Sequence, residues 1–178
     1  GSRSTAMGGS TTASGDYSTS MGRSTTASGN ESTAMGYSTT ASGSRSTAMG
    51  LSTRASGNES TAMGRNTTAS AEASTAMGYY SVASGGYGAI AMGNQTTASG
   101  DNSTVMGEGG TASGAASTAM GRGTTASDYA SLVIGQYNSS GSSVTNNATS
   151  FNTANTAFVI GNGADSSNKS DAFKVMFN

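Results

Sequence analysis

Apolar and polar positions along this chain repeat with a period of fourteen residues. Met7, Met21, Met35, Met49, Met63 and Met77 keep that spacing. After one fifteen-residue step Met92, Met106 and Met120 resume it, with Ile134 in the next slot. A second column, Ala13, Ala27, Ala41, Ala55, Ala69, Ala83, Ala98, Ala112 and Ala126, runs half a repeat out of phase. Both columns slip by one residue around Gly85-Gly86-Tyr87-Gly88. A shared slip places both columns in one structural unit that absorbed a single insertion. A short fixed period over most of a chain predicts a solenoid in which each repeat stacks on its neighbour.

Residues 32–45 show the content of one repeat: Ser-Thr-Ala-Met-Gly, Tyr37, Ser-Thr-Thr-Ala-Ser-Gly, then Ser44-Arg45. Two segments of five or six residues each end in Gly. Fourteen residues cannot hold a helical hairpin, because helices under ~12 residues are marginal and Gly and Thr form them poorly. Two short strands with Gly at the corners fit, since Gly supplies positive φ. The fold expected is an all-β parallel β-roll, with two short strands per coil and coils ~4.8 Å apart.

Alternation along each strand assigns the faces. In Ser-Thr-Ala-Met-Gly, Ala points one way while Thr and Met point the other. In Thr-Thr-Ala-Ser-Gly, Ala again opposes the second Thr and the Ser. If both Ala columns point inward, the two sheets meet across a thin layer of small side chains. The Met column and Ile134 then line the outside of one sheet, and a Thr/Ser column lines the outside of the other. The opposite arrangement, Met inward in a monomeric solenoid, would set Met against Ser and fill the interior unevenly. An apolar stripe as long as the Met ladder marks an interface, here between copies of the chain closed by cyclic symmetry.

Composition alone suggests disorder. Leu, Ile, Val and Phe are few, and only Leu51, Val82, Ile90 and Val105 precede residue 130. Disorder, however, needs no phase and tolerates Pro, which is absent from this chain and which would remove ladder N–H groups. There is no Cys, His or Trp, and the formal net charge is −1. That balance excludes a disulfide framework and argues against nucleic acid. Nearly all charged residues before position 130 fall in turn slots, such as Asp16, Arg23, Glu31, Arg45, Glu59 and Arg65; Arg54 sits in a strand. The strands barely change while the turns vary. No apolar run approaches a ~20-residue membrane span, so no direct membrane insertion of this segment is expected.

These repeats resemble the YadA-like head repeat of trimeric autotransporter adhesins. The family's Asn-Ser-Val-Ala-Ile-Gly is similar to Ser-Thr-Ala-Met-Gly here, with Met in the Ile slot. Residues 1–135 match in register. The resemblance implies a left-handed, homotrimeric β-roll, with Met7, Met21, Met35, Met49, Met63, Met77, Met92, Met106, Met120 and Ile134 at the trimer interface. It also implies an extracellular, bacterial cell-surface location. The chain opens inside a repeat, since residues 1–8 equal 43–50, and is expected to be a piece of something longer.

Beyond residue 135 the character changes. Residues 136–178 are expected to form a capping or transition segment, with an insert loop over 138–152 and strands over 155–161 and 171–177. Phe158, Ile160, Phe173, Val175 and Phe177 supply bulk that the repeats lack. This ending looks similar to segments that close head-like repeats in phage tail fibres.

A search for chemistry yields no catalytic constellation. His is absent, the acids are scattered over turns, and no base is placed to activate a Ser. No Asp ladder of the calcium-binding β-roll kind exists. No enzyme, metal or cofactor is therefore expected. The function expected is a structural and adhesive segment of an extracellular trimeric fibre. Its partners would be itself and a matrix protein, glycan or cell-surface receptor. The alternatives are a phage tail-fibre shaft on a virion and, from the Thr/Ser columns, an ice-binding solenoid.

Overall fold

Each fourteen-residue repeat folds as one five-residue strand and one two-residue strand. The computed structural model describes residues 1–139 and 148–177, so residues 140–147 of the expected insert loop lie outside the described residues. The longer strands begin with β1 (Thr5–Gly9), β3 (Thr19–Arg23), β5 (Thr33–Tyr37), β7 (Thr47–Leu51) and β9 (Thr61–Arg65). They continue as β11 (Thr75–Tyr79), β13 (Ile90–Asn94), β15 (Thr104–Glu108), β17 (Thr118–Arg122) and β19 (Leu132–Gln136). Between them lie β2 (Thr12–Ala13), β4 (Thr26–Ala27), β6 (Thr40–Ala41), β8 (Arg54–Ala55) and β10 (Thr68–Ala69). The remaining short strands are β12 (Val82–Ala83), β14 (Thr97–Ala98), β16 (Thr111–Ala112) and β18 (Thr125–Ala126). The C-terminal segment adds β20 (Thr156–Asn162) and β21 (Asp171–Met176).

The molecule is an all-β parallel β-solenoid with no helix among the described residues. The longer strands, with β20 and β21, form one twelve-stranded sheet; the short strands form a nine-stranded sheet. Pairing places like on like, as Ala34↔Ala48, Met35↔Met49 and Gly36↔Gly50. Strand β20 continues this parallel register, with Val159 on Val133 and Ile160 on Ile134. Only β21 turns back, pairing antiparallel with β20.

The two expected segments of five or six residues are thus unequal. Ser28 and Gly29 both donate their N–H to the Ala41 carbonyl, at 2.9 and 3.3 Å, which turns the chain out of the ladder after two residues. The corners keep bonding from coil to coil: Glu31 N–H donates to Asp16 O at 2.8 Å, and Ser38 N–H to Arg23 O at 3.0 Å. Those corner donors sit in the left-handed region without being Gly. Tyr17, Glu31, Arg45 and Glu59 at one corner, and Ser24, Ser38 and Ser52 at the other, have φ of 53–59°. The sequence suggested Gly as the source of such angles. A strain of roughly 1 kcal/mol per residue is offset here by an inter-coil hydrogen bond.

Gly supplies positive φ in one column, as at Gly36 (φ 122°), and has a second task as well. A Cβ on Gly36 would lie 2.1 Å from the Gly50 carbonyl oxygen, and one on Gly43 would lie 1.9 Å from that of Gly57. Two Gly columns therefore let successive coils approach to hydrogen-bonding distance. The second column is broken by Ala71 and Asp128. Ala71 lies below the coil that carries the insertion, and the Asp128 carboxylate accepts the Thr156 N–H at 2.8 Å, next to the insert before β20. Both exceptions occur where the regular coil spacing is interrupted.

The interior is a layer of small side chains. Ala27, Ala41, Ala55, Ala69, Ala83, Ala98 and Ala112 are fully buried, and so are Ala34, Ala48, Ala62, Ala76, Ala91 and Ala119 of the facing sheet. Ala13, in the first coil, is only half-buried, because no coil covers it on one side. Buried hydroxyls flank the Ala layer. Ser32 and Ser46 donate to the carbonyls of Gly29 and Gly43 at 2.6 Å. The hydroxyls of Thr39, Thr53 and Thr67, stacked in one column, have no hydrogen-bond partner among the described residues.

Volume is conserved within a coil. Val105 replaces Ala in its column, and Gly110 replaces the buried Thr of neighbouring coils; a Cβ on Gly110 would lie 3.0 Å from Val105 Cγ1. In the second coil Ser20 replaces Ala, and its hydroxyl pairs with that of Thr25 at 2.7 Å.

Two stability measurements check this interior. Thr53→Val should raise stability by about 1 kcal/mol in chemical denaturation, because it removes an unpaired buried hydroxyl; a loss would show that the hydroxyl is satisfied. Gly110→Thr should cost roughly 1–3 kcal/mol through overpacking. Adding Val105→Ala should recover most of that loss, and additive losses in the double variant would refute the coupling.

Candidate functional site

The outer face of the twelve-stranded sheet carries the apolar residues of the repeats. Residues 33–37 alternate, so Ala34 is buried while Thr33 and Met35 point outward and are half-exposed. Parallel register turns this into columns. Met7, Met21, Met35, Met49, Met63, Met77, Met92, Met106 and Met120 stack directly on one another, followed by Ile134. Met7, at the open end, is the most exposed of them. A parallel column of Thr runs beside it, from Thr5 through Thr33 and Thr75 to Thr118, interrupted by Ile90.

Ile160, which the sequence suggested as part of a cap, lies directly after Ile134 in the Met column. Phe158 lies after Leu132 in the Thr column. The signal was present, because Phe158-Val-Ile-Gly161 repeats Leu132-Val-Ile-Gly135; the intervening insert hid the phase. The outer face thus becomes bulkier toward its C-terminal end. Phe158 meets Phe173 edge to face, with centroids 6.1 Å apart. Phe173 and Val175 on β21 remain exposed, while Phe177 packs against Phe151 at 5.3 Å.

The far end of the short-strand sheet is closed differently. Asn138 accepts a hydrogen bond from Thr125 N–H at 2.7 Å and donates to Thr125 O at 3.0 Å. Its amide imitates one more strand on the edge of β18. Asn138 was expected to open a surface loop; it is buried because it performs this pairing.

The roll edges carry the variable residues. Arg3, Arg23 and Arg65 lie over the rings of Tyr17, Tyr37 and Tyr79, each on the next coil, at 5.3–5.4 Å. Arg45 pairs with Glu59 in the same manner. Beyond β20 the loop 163–170 is pinned to one edge: Gly163 N–H donates to Gln136 O and Ser170 N–H to Tyr137 O, at 3.1 and 3.0 Å. Asp165 organises this loop. The Asn168 side chain, followed by the N–H groups of Ser167 and Asn168, holds its carboxyl below the usual carboxylate range.

The molecule is thus a parallel β-solenoid that carries a repeating, half-exposed apolar ladder on one sheet. The family model described as YadA head domain repeat (2 copies) matches residues 1–25, 27–53, 55–81, 84–108 and 112–138. The chain belongs to that family. Its members are structural and adhesive head segments of surface-exposed trimeric autotransporters, which implies self-association, adhesion and an extracellular location. No curated protein sequence matches the chain.

The Asp165 contacts make a pH prediction. A carboxyl whose folded pKa is depressed contributes order that is fully present above its unfolded value, ~3.9. That order is lost as pH falls through the lower folded value. The amide NMR signals of Ser167 and Asn168 should therefore titrate with a midpoint below that of a free Asp. A midpoint at or above it would show that these hydrogen bonds are not made.

Proposed function

We propose that this segment is one protomer of a homotrimeric, adhesive fibre head on a bacterial cell surface. In this reading three copies join through the Met face and present their variable edges to host matrix or cell-surface molecules. The observation that carries it is the unbroken Met ladder, half-exposed in a single chain over nine successive coils. An apolar ridge of that length needs a cover, and a second copy of the same ridge has matching period and chemistry. The thin Ala interior supports the same conclusion, since so little apolar surface is buried within one chain.

Magnitudes agree. Covering the exposed half of each Met contributes roughly 1 kcal/mol. Nine such side chains per protomer are comparable with the ~4–15 kcal/mol lost in translational and rotational freedom on association. Residues 136–178 are read as the segment that closes the head, with β21 shielding the last edge of the larger sheet.

Multi-angle light scattering tests the assembly. The unaltered chain should have three times the protomer mass at micromolar concentration, and Met49→Asp/Met63→Asp/Met77→Asp should give monomer or unfolded chain. A stable monomer from the unaltered chain would overturn the reading. Adhesion is tested separately, by binding of the trimer to immobilised matrix proteins and to host cells.

A further inference from the structure

One edge of the roll contains a notch, made by a two-coil gap in a corner column. The corner residue after the Met strand is Ser24, Ser38, Ser52, Asn66, Tyr80 and Gln95 in successive coils. The next two coils carry Gly109 and Gly123 there, and Tyr137 follows. The Tyr137 ring folds over Gly123, and the open corner at Gly109 belongs to a cavity of about 280 Å³ bounded along the solenoid by Gln95 and Tyr137. Its remaining walls include Glu108, Arg122, Thr125 and, from the pinned loop 163–170, Lys169.

The lining is polar and net cationic, with Arg122 and Lys169 against Glu108. The Nε of Arg122 lies 3.6 Å from the Glu108 carboxylate, and both side chains are more than half exposed. The Arg122 guanidinium lies 5.5 Å from the Tyr137 ring centroid. The ring in turn lies over Gly123, where a Cβ would come within 2.5 Å of it. Above Gly109 the space is open, for a Cβ there would meet nothing within 4 Å. The outer wall is held by the backbone bonds of Gly163 and Ser170 to Gln136 and Tyr137, and by Gln136 Nε2 donating to Gly163 O at 3.0 Å.

A guanidinium and an ammonium lining one cavity match a carboxylate, the aromatic ring of the same cavity matches the C–H face of a pyranose, and the Gln95 amide matches ring hydroxyls. We propose that this notch binds a carboxylate-bearing sugar. The acid group sits between Arg122 and Lys169, and the sugar ring lies over Gly109 against Tyr137. Three coil steps separate Gln95 from Tyr137, ~14 Å at the ~4.8 Å strand spacing, which leaves room for one sugar residue beside the Tyr ring. The proposal rests on the adhesive reading above and names a ligand class for it.

Saturation-transfer NMR on the full chain tests it, with sialyllactose as probe and lactose as the neutral control. Sialyllactose should receive saturation with a Kd on the order of 1 mM, and lactose should not. Gly109→Gln fills the notch while respecting the backbone, because Gln95 occupies the same corner at φ 55°. That variant should abolish the transfer, and Lys169→Ala should weaken binding at least about fivefold through loss of a charge-assisted contact. No transfer to sialyllactose, equal transfer to lactose, or full transfer with Gly109→Gln would each overturn the site. Light scattering and matrix binding on the same samples separate the two readings: their persistence without sugar binding removes only this site.

Discussion

Successive coils in this solenoid are held at the distance of a backbone hydrogen bond, and at two corners per coil that distance leaves no space for a Cβ. The Gly36–Gly50 and Gly43–Gly57 approaches, where a side-chain carbon would fall about 2 Å from a carbonyl oxygen, set the vertical step of the whole structure. With the step fixed, every other position is stacked on its own equivalent. Identical residues then form columns, and a column multiplies the property of one residue by the number of coils. The departures obey the same constraint: Ala71 and Asp128 enter the second Gly column only where the coil above is lengthened or absent.

Such stacking makes an interior too thin to resemble an ordinary core. Buried Ala contributes little apolar area, and the space beside it is filled by Ser and Thr hydroxyls, some bonded to corner carbonyls and some unpaired. Stability is accordingly a sum over neighbouring coils, each joined by ladder bonds on two strands and at both corners. Larger residues enter the interior only with local compensation, as Val105 does with Gly110. The bulk that a globular protein would place inside is carried here on the outer face of one sheet, as the Met ladder and its Ile and Phe extension.

The edges are free of both constraints, which is why they vary. A residue there needs only to tolerate a left-handed backbone and to donate its N–H to the preceding coil. Charge and aromatic content can change from coil to coil without disturbing the stack, as the Arg–Tyr and Arg–Glu steps show. Two Gly residues at one such corner therefore create a notch at no cost to the scaffold. A constant stack with freely chosen edges is a suitable architecture for an adhesive segment.

Most of the fold was legible in the sequence because a solenoid writes its contacts at a constant separation. The fourteen-residue phase identified the coil, the alternation of Thr, Ala and Met assigned the faces, and the shared slip near Gly85 located the coil lengthened by one residue. Three matters depended on distances that spacing does not encode. The placement of Ile160 beneath the Met ladder was hidden by an insert that breaks the phase but not the stack. Asn138 read as loop because its role is to imitate a strand with its side chain. The corner Gly residues read as turn formers, which the positive φ of the Gly36 column bears out, but their position is also dictated by the carbonyl of the next coil. Repetition along the chain thus determined the class of structure by itself. Which side chains meet across coils, and where a missing one opens a cavity, was decided only by the three-dimensional stack, since those contacts join columns that the sequence keeps apart.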